Sequence, residues 1–226
     1  MKKNFETLTQ EIDRFLEVLK DFESTIIGSP STCSFLKLDI KDKDESEAIF
    51  KSLKSNMMMM LYNLTESTIR LTMNFYYDNF NKKRKNYSNT VENLRKTWIK
   101  HSLGVIKPDN IQKQVYDMIE SIMDVEYTIS LEFENFSLSG NADLRELKGI
   151  LNTHGLIYDD NQFKIYGGSL KTVKEMRNSL AHGNISFEEN GKNLSVSDLT
   201  NYKNETYACL LIFIEVVENN INEQIE

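Results

Sequence analysis

The sequence predicts an all-α fold, a bundle of long antiparallel helices with at most one short β-like arm or hairpin. Three observations predict it. The 226 residues include only 9 glycines and 2 prolines, too few for the many turns of a β-sandwich. Apolar residues recur at spacings of 3 and 4 over long stretches, the period of an amphipathic helix. The alternation of a strand appears at Tyr127–Phe133, where Tyr127, Ile129, Leu131 and Phe133 are separated by polar neighbours. With 40% hydrophobic and 27% charged residues, the chain is long enough for one good core, and residues 1–226 are read as one domain.

The elements follow in order. Phe5, Leu8, Ile12, Phe15, Leu19, Phe22 and Ile26 mark a first helix with a narrow apolar seam, ended by Gly28 and Pro30. After a polar loop over 31–43, Asp44, Glu45 and Glu47 supply first-turn acids for a long second helix to about Asn79. Ile49, Leu53, Met57, Met60, Leu64, Leu71 and Phe75 lie on one of its faces, and Met58, Tyr62, Ile69, Met73 and Tyr76 on another. Both sides therefore need covering, which makes this helix the spine of the bundle or part of a dimer seam. The four methionines Met57–Met60 read as adaptable core filler. Between the faces runs a polar strip of Asn63, Glu66 and Arg70, where Glu66 and Arg70 are spaced for a surface ion pair. A third helix is expected over Ser88–His101, with Val91, Leu94 and Trp98 at helical spacing, and a fourth from Pro108 through Ile122. Gly140-Asn141 reads as a turn, 142–153 as a helix, and the segment from Gly155 to Gly168, with Tyr158, Phe163 and Tyr166, as a lid or a plug. Asn190-Gly191 reads as a hairpin-like turn, and Ser197-Asp198 as the cap of the last helix.

Several function classes fall away. No run reaches the roughly 18 apolar residues of a membrane span, and Met1-Lys2-Lys3 is followed by an amphipathic rather than an apolar stretch. Cys33 and Cys209 stand apart, as do His101, His154 and His182, so neither a metal site nor a cofactor is expected. Two isolated thiols, both expected free, fit a reducing cytoplasm. The net charge of −7 argues against non-specific coating of nucleic acid. It leaves room for a local basic site, and Lys82, Lys83, Arg84 and Lys85 form the one dense basic run. Such a run is either a solvated loop or a phosphate-tracking loop that offers Tyr87 to a base.

The chemistry concentrates at Met176-Arg177-Asn178-Ser179-Leu180-Ala181-His182-Gly183. Leu170, Val173, Met176 and Leu180 share one arc of a helix that begins near Ser169 and that Gly183 ends. Arg177 falls inside that apolar arc and needs a carboxylate there. Asn178 and His182 are four apart and share a face. Two readings are open: a structural ion pair with a histidine capping the last carbonyls, or a polar cluster at a helix end. Arg95 and His101 make a second, looser arginine–histidine match.

The string Arg177-Asn178-Ser179-Leu180-Ala181-His182-Gly183-Asn184, with Ser186-Phe187, resembles the signature of the HEPN superfamily, specifically its MAE-type HEPN-like nuclease branch. The resemblance extends to Gly140-Asn141-Ala142-Asp143 and the Gly155 segment, and faintly to Leu61-Tyr62-Asn63-Leu64-Thr65-Glu66. It implies an HEPN-like bundle, a homodimer, and a metal-independent endoribonuclease acting as a toxin or phage-defence effector, alone or with an inhibitory or complex partner protein. HEPN toxins silenced by a nucleotidyltransferase partner carry a tyrosine two residues after the histidine. Asn184 stands there, which argues against control by nucleotide transfer.

RNA brings its own nucleophile, the 2′-hydroxyl. A cutter without metal needs a proton acceptor or donor, for which His182 is the candidate, and positive charge at the phosphate, for which Arg177 is. Asn178 would hold a phosphate oxygen or the imidazole, with Glu66 or Asn63 orienting Arg177. The alternative is a catalytically silent HEPN-type module that binds RNA or protein within a defence complex.

Overall fold

A computed structural model describes residues 1–27, 42–104 and 110–224. The described chain is helical, in the order α1 (Lys2–Ile27), α2 (Lys43–Lys82), α3 (Glu92–Leu103), α4 (Ile111–Met123), α5 (Leu144–Thr153), α6 (Asp160–Lys164), α7 (Gly167–Ala181), α8 (Phe187–Lys192) and α9 (Val196–Gln224). A 3₁₀ turn, Phe133–Asn135, lies between α4 and α5. The all-α expectation holds. The expected stops at Gly28 and Pro30, the loop up to residue 41, Cys33 and the start at Pro108 lie outside the described residues.

α2 is the spine. Its 40 residues span roughly 60 Å at 1.5 Å per residue, and it packs against α1, α7, α8 and α9. Burial follows the second of its two apolar faces, with Met58, Tyr62, Ile69, Met73 and Tyr76 all in the core. Met57 and Leu64 of the first face are buried too, but Leu71 and Phe75 are exposed at 39% and 36%. The buried hydroxyls of Thr65 and Thr72 are satisfied within the helix, each donating to the carbonyl four residues back. α1 lies along α2 and α9. Phe22 stacks on Phe50 at 5.5 Å, Lys203 pairs with Asp13 at 2.7 Å, and Tyr207 donates to the Thr9 carbonyl. Cys209 is free and fully buried, and burial pushes its thiol up to about 12.

Four expectations need correction. Residues 127–133 do not form a strand. Ile129 and Leu131 are buried alternately as a strand's would be, but their backbone is satisfied by the Lys85 carbonyl and by the Asn81 side-chain amide, which both accepts from and donates to Leu131. Asn190-Gly191 is not a turn but part of α8. Ser186 caps that helix by accepting from the Glu189 amide, a Ser-x-x-Glu signal of a helix start. The third helix begins at Glu92, because Asn86 organises residues 86–90 by hydrogen bonds to Asn89, Thr90 and Val125. The last helix is capped by Ser195, not Ser197: Ser195 and Asp198 bond each other's amides reciprocally.

α8 crosses α2 at close range. Asn190 donates to Ser55 Oγ at 3.0 Å, Ser55 donates to the Phe187 carbonyl at 2.6 Å, and buried Lys54 donates to the Leu194 carbonyl. In the segment after Gly155, Phe163 is buried against Tyr158, which makes this region a plug. α4 buries none of its residues fully, although Met118 and Ile122 pack against the core. No described helix is long and apolar enough to cross a membrane.

Candidate functional site

The site is built at the C-terminal end of α7. That end is a Schellman motif: Gly183 takes φ +69°, its amide donates to the Leu180 carbonyl, and the Asn184 amide donates to Ser179. His182 is the last residue before the left-handed glycine, and its side chain is exposed. The other end departs from expectation. α7 begins at Gly167 without a side-chain cap, and Ser169, inside the helix, donates to Glu205 at 2.5 Å.

Arg177 lies in the buried arc and finds the carboxylate that position requires. Its guanidinium carbon sits 3.5 Å from the centre of the Tyr62 ring, a cation–π contact. Its Nη2 donates to the Gly140 carbonyl at 2.7 Å and lies 3.7 Å from Glu66 Oε1. Tyr62 closes the network, donating to Glu66 at 2.8 Å and accepting from the Ala142 amide at 3.2 Å. Glu66 therefore faces Arg177 rather than the exposed Arg70, whereas Asn63 is exposed and makes no hydrogen bond to Arg177. Arg177 Nε is buried without a partner.

One residue further on, Asn178 donates to the Asn141 side chain at 3.1 Å. Gly140, at φ +73°, turns the chain so that its carbonyl and the next side chain both meet α7. Asp143 then caps α5, accepting from the Arg145 and Glu146 amides, while buried Lys174 donates to it at 2.7 Å. Burial works to raise the Asp143 carboxyl, but the Lys174 bond, the Glu146 amide and the charges of Lys174 and Arg145 together hold it below the usual range. The Gly140–Asp143 segment is thus held by Tyr62, Lys174, Arg177 and Asn178 from two helices. Neither Tyr62 nor Lys174 is marked for this role by the sequence alone. Lys174 shares the arc of Leu170 and Arg177, a second buried cation at helical spacing, and that pattern is legible once Arg177 is suspected.

The basic run lies elsewhere. Lys82 is 16 residues past Glu66, roughly 24 Å along α2. Lys82, Lys83 and Arg84 are exposed and Lys85 is half-buried, with Arg84 turning the chain at φ +48°. Tyr87 is not open for stacking: Arg95 covers its ring at 5.3 Å and Trp98 meets its edge. If the run tracks an RNA backbone, neutralising Lys82, Lys83, Arg84 and Lys85 together weakens binding. Each lost single-strand phosphate contact then lowers the log–log salt slope by about 0.7. A salt titration of uncleavable RNA reads this, and an unchanged slope assigns the run to solvent. Arg95 and His101, the second arginine–histidine match, separate, with His101 beside Tyr77 at 6.0 Å.

A third histidine is fully inside. His154 ends α5 before Gly155, in a second Schellman motif. Its Nδ1 lies 2.7 Å from the Ile150 carbonyl, which fixes the proton there, so Nε2 accepts from Tyr77 at 2.9 Å. Burial pushes the imidazole down to about 4, against the Ile150 carbonyl and aided by the charges of His101 and Lys100. The unfolded chain therefore takes up this proton near pH 6.5 and the fold resists until about 4. The contribution of His154 is complete well above pH 6.5 and falls by about 3 kcal/mol as pH drops to 4. Denaturant unfolding at pH 7, 5.5 and 4.5 tests this, and a His154→Gln variant should lose that part of the slope.

Among the described residues no group of three or more His, Cys, Asp and Glu is assembled for a metal ion. A family model, MAE_28990-like HEPN, matches residues 4–225, and the chain belongs to that family. No curated protein and no solved structure matches the chain. Membership points to a nuclease or an RNA-binding module.

Proposed function

We propose that the protein is a metal-independent endoribonuclease whose site is formed by Arg177, Asn178 and His182 at the end of α7, within one HEPN-like domain. One observation carries this reading. Arg177 is fixed in orientation by Tyr62, Gly140 and Glu66, yet of its five N–H donors only one makes a hydrogen bond, to Gly140. A purely structural arginine in so buried a place would be expected to use more of them. Five residues on, His182 is exposed to solvent.

The chemistry needs two proton transfers and one stabilised charge. A base removes the 2′-hydroxyl proton, the O2′–P bond forms, and the P–O5′ bond breaks as the leaving oxygen gains a proton. The guanidinium stabilises the charge that accumulates on phosphorus-bound oxygens. His182 supplies one of the two proton transfers. A second copy of the chain would supply the other, which gives a homodimer a chemical reason. The expected biological setting is a cytoplasmic toxin or phage-defence effector, with any inhibitory partner acting on this helix end.

The test is incubation of purified protein with tRNA and total RNA in excess EDTA. The expected products carry 2′,3′-cyclic phosphate and 5′-hydroxyl ends. A requirement for added Mg²⁺, or no cleavage of any RNA, would overturn the reading. The second reading, a silent RNA- or protein-binding module, draws on the 3.7 Å approach of Glu66 to Arg177, which offsets part of the positive charge.

A further inference from the structure

The Gly140–Asp143 turn meets α7 position by position. The Gly140 carbonyl accepts from Arg177, the Asn141 side chain from Asn178, and the Asp143 carboxylate from Lys174. Two of these contacts have a reason in folding, since Arg177 and Lys174 are largely buried cations that need an acceptor. The Asn141–Asn178 bond has none of that kind. It lies at the surface, where water would serve either amide and a neutral hydrogen bond adds little to stability.

What the bond does is set a direction. Glu146 accepts from the Ser139 amide and hydroxyl at 2.6 and 2.7 Å, which pins Ser139 to the first turn of α5. The Ser139 hydroxyl in turn accepts from the Asn141 backbone amide at 3.2 Å, and the Ser139 carbonyl accepts from Asn141 Nδ2 at 3.5 Å. The Asn141 carboxamide is thereby turned with its nitrogen toward Ser139 and its oxygen toward α7. Asn178 has to answer with a donor, and does so through Nδ2 at 3.1 Å. A planar carboxamide held by its nitrogen has its oxygen held as well. No hydrogen bond among the described residues uses Asn178 Oδ1, an atom that accepts and cannot donate. His182 follows one helical turn on, its backbone amide bonded to the Asn178 carbonyl.

We propose that Asn141 is a positioning residue that acts through Asn178. It keeps the Asn178 side-chain oxygen open as an acceptor for an N–H of the His182 imidazole, so that Asn178 serves the proton transfer and not the ground-state binding of phosphate. The part played in cleavage rests on the endoribonuclease reading; the coupling of the two amides does not.

Two substitutions separate the outcomes. Asn141→Asp keeps an oxygen for Asn178 Nδ2, and Asn141→Ala removes it. Asn141 is exposed and its backbone bond to Ser139 does not depend on the side chain, so both variants should melt with the parent. In protein isotope-labelled at asparagine and free of RNA, the Asn178 side-chain N–H signals are assigned by their loss in Asn178→Ala. They should move to the positions of a water-exposed amide in Asn141→Ala and stay shifted downfield in Asn141→Asp. In steady-state cleavage of a short RNA, Asn141→Ala should lower kcat by about 3- to 10-fold, the scale of one hydrogen bond, with KM unchanged. Asn141→Asp should recover most of that kcat. Asn178 signals indifferent to Asn141→Ala, a raised KM at parental kcat, or an Asn141→Asp protein with kcat as low as Asn141→Ala would each overturn the proposal. Because the amide signals are read without cleavage, a parent that cuts no RNA while those signals respond sinks the nuclease reading alone.

Discussion

His182→Ala and Arg177→Ala should each slow RNA cleavage by about 10² or more, the scale of losing a general acid–base group or a preorganised charge at the transition state. The two variants should differ in stability. His182 is exposed beyond the last turn of α7, so its removal leaves packing intact. Arg177 fills space over Tyr62 and satisfies the Gly140 carbonyl, so its removal should cost folding free energy as well as activity. Arg177→Lys separates the two effects. It keeps the charge beside Glu66 but cannot lie flat on a ring or present a fork of donors, and should fold better than Arg177→Ala while remaining slow. Single-turnover cleavage of a labelled RNA, read beside thermal melts, measures both. Cleavage undiminished in His182→Ala would sink the assignment. If each protomer gives a different group to one site, mixing the two inactive variants should restore part of the activity.

The local patterns of this chain were legible because they are local. Gly183 ending α7, the methionine-filled spine and the need of Arg177 for a carboxylate follow from helical spacing and the cost of an unpaired charge. Glu66 was a candidate partner, but the alternative partner, Arg70, sits at the same helical spacing that makes surface pairs. Only the approach of α7 to α2 decides between them. The segment 127–133 shows the opposite failure. Its alternation of burial is real, but nothing in the period tells whether the backbone will pair with a strand or with the amide of Asn81. Tyr62 looked like one more apolar position of α2, and its hydroxyl gains meaning only where Ala142 and Glu66 converge on it.

Gly191→Ala should be the most damaging glycine-to-alanine change among the described residues. Glycine beside asparagine suggests a turn that needs positive φ, but Gly191 is helical and its φ is not among the positive ones. Its role is contact. A Cβ there would stand 1.8 Å from the Lys51 carbonyl oxygen and 2.6 Å from its carbon. Both are backbone atoms in the interior of α2, so no side chain can swing aside, and α8 must lift from the spine. Lifting it strains the Asn190–Ser55–Phe187 hydrogen bonds and the Lys54–Leu194 bond, of which Asn190–Ser55 and Lys54–Leu194 are buried. Overpacking a tight contact costs about 1–3 kcal/mol, and the loss of buried hydrogen bonds adds about 1 kcal/mol each. The expected destabilisation is therefore about 3 kcal/mol or more, a melting point lower by roughly 6–12 °C for a chain of this length. Gly168→Ala is the control, because a Cβ there meets nothing within 4 Å, and it should melt with or slightly above the parent, as alanine favours a helix over glycine. Since α8 follows α7 after the short 182–186 connection, a lifted α8 also loosens the anchor of His182, so Gly191→Ala should lose cleavage activity at temperatures where it is still folded. A Gly191→Ala protein that melts with the parent would show that α8 does not bear on the spine as closely as this geometry requires.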